Sequence, residues 1–173
     1  KRGAWLVLLF MGQLLTATVM QNNQHVIEVM VELVLFMPLI IASGGNAGSQ
    51  SSSLIIRALA VGEMAPRDWL RVLARELVVG ALLGLGLGVL GFARAFFTDG
   101  HLDPFRLGTA VGVSIVAVVV LAAVVGAVLP MLIKRLGLDP AVSSTPFIAS
   151  VTDVFGLMVY FSVARMVFGA VLD

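Results

Sequence analysis

Residues 38–53 read PLIIASGGNAGSQSSS and stand inside a long apolar run, with VELVLFM before them and LIIRALA after. Flanks this greasy belong in a bilayer, where no water reaches the backbone and every loosened N–H or C=O needs a protein partner. Pro38, Gly44, Gly45 and Gly48 loosen it here, which predicts a broken membrane span. Such a break is tolerated at membrane depth where it is buried in protein or lines a wet cavity. The same residues also suit a Gly/Ser-rich helix packed closely on its neighbours, with hydroxyls bonding back to their own backbone. Packing and an ion pathway are both open on this stretch alone.

Composition agrees with a bilayer setting: 60% of residues are hydrophobic, 12% are charged, and the mean hydropathy is +1.07. A soluble domain carries about 25% charged residues, so the chain reads as an all-α integral membrane protein. The net charge of +1 points to no partner, and nothing suggests nucleic acid. The absence of Cys excludes disulfides, thiolate metal sites and a cysteine nucleophile. The first residue is Lys1 rather than Met, so the chain is expected to be a fragment or a processed product. The run after Lys1-Arg2 lacks a small-x-small cleavage signal and reads as a retained first span.

Spans of about 20 apolar residues are expected at 4–20, 26–60, 70–97, 107–133 and 147–172. The second is long enough to raise the question of two crossings, and the cations answer it. With five spans, one side receives Lys1, Arg2, Arg57, Arg67, Arg71, Arg75, Lys134 and Arg135, and the other only Arg94, Arg106 and Arg165. A sixth crossing would place the Arg57–Arg75 cluster outside, against the positive-inside rule. The N-terminus is therefore expected in the cytoplasm and the C-terminus outside.

Between the spans, Glu28 and Glu32 are one helical turn apart and therefore expected on one face, and near the outer mouth they suit either a solvated face or a cation-gathering one. Gln13, Thr16 and Thr18 are expected to bond to neighbouring helices. Arg67, Arg71 and Arg75 recur every fourth residue, an interfacial basic face that suits anionic membrane lipid, with Trp69 at headgroup level. Glu76 is expected to pair with one of these arginines. Gly80, Gly84 and Gly88 form a small-residue stripe for close helix packing. Asp139-Pro140 has the form of an N-cap with proline at the first helical position.

The last span holds the residue that tips the balance. Thr145, Ala149, Asp153, Gly156 and Tyr160 share one face of it, with a single carboxylate at the centre. An ionised carboxylate near mid-bilayer costs at least about 2.5–3.5 kcal/mol. Arg165 lies roughly 18 Å along the same helix, and no other intramembrane cation is placed to neutralise the charge. Asp153 then needs water, a proton or a mobile cation. Carbonyls, the Asn46 and Gln50 amides and the Ser43, Ser49, Ser52 and Ser53 hydroxyls are hard oxygen donors, suited to Mg²⁺, Ca²⁺ or Mn²⁺. One carboxylate per chain cannot strip Mg²⁺ of its water, so the hydrated ion is expected to bind. A two-fold homodimer would place two copies of Asp153 about one axis.

PLIIASGGNAGSQSSSLIIRALA, RDWLRVLARE and LPMLIKRLGLDPAVSSTPFIASVTDVFGLMVYFSVAR, in this order, resemble the membrane domain of the MgtE family of bacterial Mg²⁺ channels. GGNAGSQ, GLDPA and TD-x-x-G carry the resemblance, which extends over essentially all 173 residues. It implies a homodimer in the bacterial inner membrane, with five spans per chain, a central pore and Mg²⁺ entry down the membrane potential. Asp153 would be the main pore acid, and Asn46 with carbonyls around Ala42 to Gly45, Ala149 and Gly156 would line the filter. Asp139 matches an acidic position that helps bind a regulatory Mg²⁺ together with the cytosolic domain. That N-terminal cytosolic region, with its pair of CBS domains, is absent from these residues, which read as a transmembrane pore domain. Thr145 stands where many members carry Asn.

Other classes fit less well. An intramembrane protease needs a second Asp at mid-span or a Ser–His pair in the membrane, and His25 and His101 both fall in external loops. A plain scaffold leaves Asp153 without a reason. A Na⁺- or H⁺-coupled Mg²⁺ carrier also uses broken helices and buried carboxylates, and stays open.

Overall fold

The structure is a computed structural model and describes residues 2–142 and 145–172; Lys1, counted above among the cations, lies outside them. Seven helices follow in order: α1 (Arg2–Asn22), α2 (Gln24–Val29), α3 (Val31–Val34), α4 (Met37–Ala60), α5 (Trp69–Ala95), α6 (Pro104–Arg135) and α7 (Thr145–Leu172). Short 3-10 turns, Pro66–Asp68 and Pro140–Val142, precede α5 and α7. Among the described residues 5 helical stretches are long and apolar enough to cross a membrane: Gly3–Asn22, Val31–Ala60, Pro66–Ala95, Pro104–Arg135 and Thr145–Gly169.

The expected break is not where the glycines are. α4 runs unbroken through GGNAGSQSSS; upstream the chain leaves helical dihedrals at Met30 (φ −126°, ψ 66°), and at Leu35–Phe36 it tightens into a turn that stays in the right-handed helical region. Pro38 accounts for that turn. Proline has no N–H to give and its ring meets the carbonyl four residues back, so it sits in the first turn of a new helix and not inside an old one. Nothing in the sequence marks Met30. The glycines stay helical because in hydrocarbon each of their N–H groups is best satisfied within the helix.

What the glycines do is let α4 approach its neighbours. A β-carbon at Gly44 would meet Val118 at 2.8 Å, and one at Gly48 would meet the Ala122 carbonyl oxygen at 3.1 Å and Ile148 at 3.0 Å. Gly126 of α6 faces the Gly48 backbone so closely that no side chain fits between them. The α5 stripe works in the same way. β-Carbons at Gly80, Gly84 and Gly88 would press on α6 backbone at Val120 (3.1 Å), Val116 (3.0 Å) and Gly112 (2.9 Å). α6 is consequently the central helix, with α5, α4 and α7 packed around it, and α1 rests chiefly on α7. That position explains why α6 is apolar on every side.

Connections group the helix ends. At one end the turn before α5 meets the end of α6, where Pro66, Trp69, Met131 and Arg135 line a cavity of ≈ 240 Å³. Arg57 and Arg75 line another at that same end with Glu63. At the opposite end Arg165 Nη2 donates to Asn23 Oδ1 (2.8 Å), and the backbone N–H of His101 donates to Glu32 Oε1 (2.5 Å).

Several local expectations need correcting. Glu28 and Glu32 fall in separate short helices divided at Met30, so they do not share a helical face. Glu28 accepts from the Gln24 amide (2.7 Å), while Glu32 holds the α5–α6 loop. Thr16 and Thr18 bond back to the Gly12 and Leu14 carbonyls of their own helix, which is mostly exposed. Glu76 accepts from Ser51 of α4 rather than pairing with an arginine.

Candidate functional site

α4 and α7 run side by side, and the site lies where the small residues of each meet. A β-carbon built on Gly45 would stand 3.8 Å from Asp153 Oδ1 and 3.8 Å from the Ala149 β-carbon, so bare α4 backbone passes beside the carboxylate. Asp153 is half-buried, and among the described residues it has no hydrogen-bond or ion-pair partner. One turn away Ser49 Oγ donates to the Thr145 carbonyl (3.4 Å), tying α4 to the start of α7.

Two faces of α4 explain the arrangement. Ile40, Gly44, Gly48, Ser51, Ser52, Ile55 and Leu59 are buried, at the spacing of one helical stripe. Ala42, Asn46, Gln50 and Ser53 form the opposite stripe and are exposed. Ser49, Gln50 and Ser53 border an open depression there. Amides and hydroxyls left bare within a hydrocarbon layer are costly, so this polar stripe calls for water or a partner surface.

The residues singled out from the sequence are thus distributed unevenly. Gly45, Ala149 and Asp153 come together; Asn46 and Ala42 sit next to them on the exposed side of α4. Gly156 is buried with its Cα toward Val118 of α6, where it lets α7 pack. Asp139 stands apart in the α6–α7 connection and caps the 3-10 turn, accepting from the Ala141 N–H (2.9 Å). Among the described residues no three His, Cys, Asp or Glu side chains gather to hold a metal ion. A lone carboxylate beside a glycine gap, with amides close by, can hold a cation loosely through its water shell.

Two hydrogen bonds that sequence reasoning did not find act on these helices from outside the site. Tyr160, fully buried two turns beyond Asp153, donates its hydroxyl to the Leu33 carbonyl (2.9 Å) in the interrupted segment. Its place on the Asp153 face was readable; its partner, 127 positions away, was not. Ser51 was readable only as a hydroxyl within an apolar run, and Glu76, expected to pair with an arginine, accepts from Ser51 instead.

Comparison with known proteins points one way. The family model for MgtE, described as a divalent cation transporter, matches residues 37–163. The chain is 45% identical over 170 residues to the magnesium transporter MgtE of Thermus thermophilus, covering 98% of this chain and 37% of that protein. It is 32% identical to the magnesium transporter MgtE of Enterococcus faecalis and 28% identical to that of Bacillus subtilis, covering 96% and 95% of this chain. In both cases it covers 36% of the relative, so the chain spans little more than a third of the length of the curated relatives it matches.

Proposed function

The chain belongs to the MgtE family of divalent cation transporters, and on that premise we propose that it is the membrane pore of a Mg²⁺ channel. Hydrated Mg²⁺ passes down the membrane potential into the cytoplasm, held at mid-membrane by Asp153 close to a two-fold dimer axis. Asp153 itself carries the reading: a half-buried carboxylate without a partner among the described residues, beside the open backbone of Gly45. A carboxylate so placed in a bilayer costs too much to keep without a use.

The dimer supplies what one chain lacks. Two copies of Asp153 offer charge −2, enough to draw a divalent ion without stripping its water. The exposed stripe of α4 that carries Asn46, Gln50 and Ser53 supports a water-filled, partner-lined space on that side. Six described cations, Arg57, Arg67, Arg71, Arg75, Lys134 and Arg135, belong to one end of the bundle, which faces the cytoplasm by the positive-inside rule. The N-terminus is then cytoplasmic, the C-terminus external, and the basic end contacts anionic lipid. Asp139, at the same cytoplasmic end, contributes to a regulatory Mg²⁺ site completed by the cytosolic domain of the full-length protein.

The test is Mg²⁺ flux into proteoliposomes holding the purified protein. Asp153→Ala is expected to lose flux at least about tenfold while the protein still assembles, and Asp153→Glu to retain part of it. Wild-type flux in Asp153→Ala sinks the assignment.

A further inference from the structure

Glu76 takes no part in the proposed pathway, yet it is a carboxylate in the first turns of a membrane-spanning helix with 9% of its surface exposed. Its Oε2 accepts a hydrogen bond from Ser51 Oγ at 2.7 Å. That bond crosses between helices that barely meet. α5 lies along α6, α6 lies along α4, and α4 and α5 do not pack on each other over their length. Beside the bond opens a cavity of ≈ 370 Å³ lined by Arg57, Glu63 and Arg75 among others, so packing does not substitute for the missing contact.

The position of Ser51 gives the bond its leverage. Ser51 is six residues beyond Gly45, roughly 9 Å further along the axis and about 120° around it. The glycine contacts of α4 with α6 bring the two backbones close but are smooth. At Gly44 and Gly48 themselves α4 offers no side chain of its own to fix its rotation against α6. A directional bond from Ser51 to a third helix, α5, restrains both rotation and sliding at once.

Resting on the proposed reading of Gly45 and Asp153 as the ion's path, we infer that Glu76 is a positioning residue that, through Ser51, holds α4 at the rotation and height that set Gly45 against Asp153. The acceptor oxygen is what matters, so glutamine serves in its place. Loss of either partner lets α4 turn.

Disulfide formation reads that register without transport. Gly45→Cys and Ala149→Cys are introduced into the full-length protein with any other cysteine replaced by serine; these 173 residues contain none. The β-carbon separation of 3.8 Å matches that of a natural disulfide, about 3.8 Å. Copper-phenanthroline should then link the pair rapidly within one chain, detected as the linked peptide by mass spectrometry. Glu76→Ala and Ser51→Ala are each expected to slow linking several-fold, the double variant no more than either alone, and Glu76→Gln to link at the reference rate. Should Glu76→Ala fail to assemble, Ser51→Ala carries the test, since it removes a single hydroxyl. A reference rate in Ser51→Ala overturns the inference, as does a double variant whose effects simply multiply. Glu76-dependent linking in a protein that passes no Mg²⁺ supports the inference while removing the proposed function.

Discussion

A β-carbon added at Gly45 meets Asp153 Oδ1 and Ala149 at 3.8 Å, ordinary contact distances, whereas the branches of a valine add bulk directly beside the carboxylate. Gly45→Ala is therefore expected to keep most Mg²⁺ flux, and Gly45→Val to lose it about tenfold or more with assembly intact. Equal flux from the two variants would separate Gly45 from the ion's path. Tyr160 offers a test of the interrupted segment. Its hydroxyl reaches the Leu33 carbonyl from a fully buried ring, so Tyr160→Phe removes one hydrogen bond and no packing. A loss of about 1 kcal/mol is expected, seen as a lower midpoint of thermal unfolding in detergent. An unchanged midpoint would mean that the turn at Leu33–Phe36 holds itself.

Among the elements, α4 shows how one composition serves two purposes. Its glycines face α6 and its amides face away, and that division is invisible until the helix phase is known. Where backbones touch, glycine is required: Gly126 on α6 abuts the Gly48 backbone, while Gly86 on α5 faces open space. Gly126→Ala should then cost roughly 1–3 kcal/mol by forcing α4 and α6 apart, and Gly86→Ala should stay within about 0.5 kcal/mol of the parent. Unfolding midpoints of the pair, measured side by side, decide it; similar values would deny the α4–α6 contact. The short helices α2 and α3 follow another logic. Their ends are tied down from elsewhere, Asn23 by Arg165, Glu32 by the N–H of His101 and Leu33 by Tyr160, which offsets the backbone bonds lost at the interruptions.

For the whole molecule, topology is testable without transport. With five spans, a cysteine at His101 should label from outside an intact cell and one at Arg67 only after permeabilisation. The reverse pattern would invert the charge reading. Regulation belongs to this scale too. A pore that shuts when internal Mg²⁺ rises must bind the ion better when closed, at roughly millimolar affinity, through several clustered carboxylates. At the basic end Glu76 is engaged with Ser51, Asp68 accepts from the Ala65 N–H, Asp139 caps its turn, and Glu63 lies among arginines. These 173 residues alone are expected to conduct with no steep closure as cytoplasmic-side Mg²⁺ increases in planar bilayers, and the full-length protein to show it. Steep closure of the shorter protein, untouched by Asp139→Ala, would reveal a sensor within it.

The number of spans, their order and the grouping of cations were determined by sequence, because hydropathy and charge act on each segment separately and need no knowledge of neighbours. Asp153 stood out for the same reason: a carboxylate in an apolar run is expensive wherever the other helices lie. The glycine-rich stretch was misread because glycine loosens an isolated chain, whereas in hydrocarbon the helix persists and the bare backbone becomes a packing surface. Only the tertiary structure could decide which side of α4 faces α6, that Gly45 rather than another glycine meets Asp153, and that Glu76 answers Ser51 instead of an arginine. Those are facts of helix rotation and distance between segments far apart in the chain, set by how α6 gathers its neighbours, and no local pattern of residues encodes them.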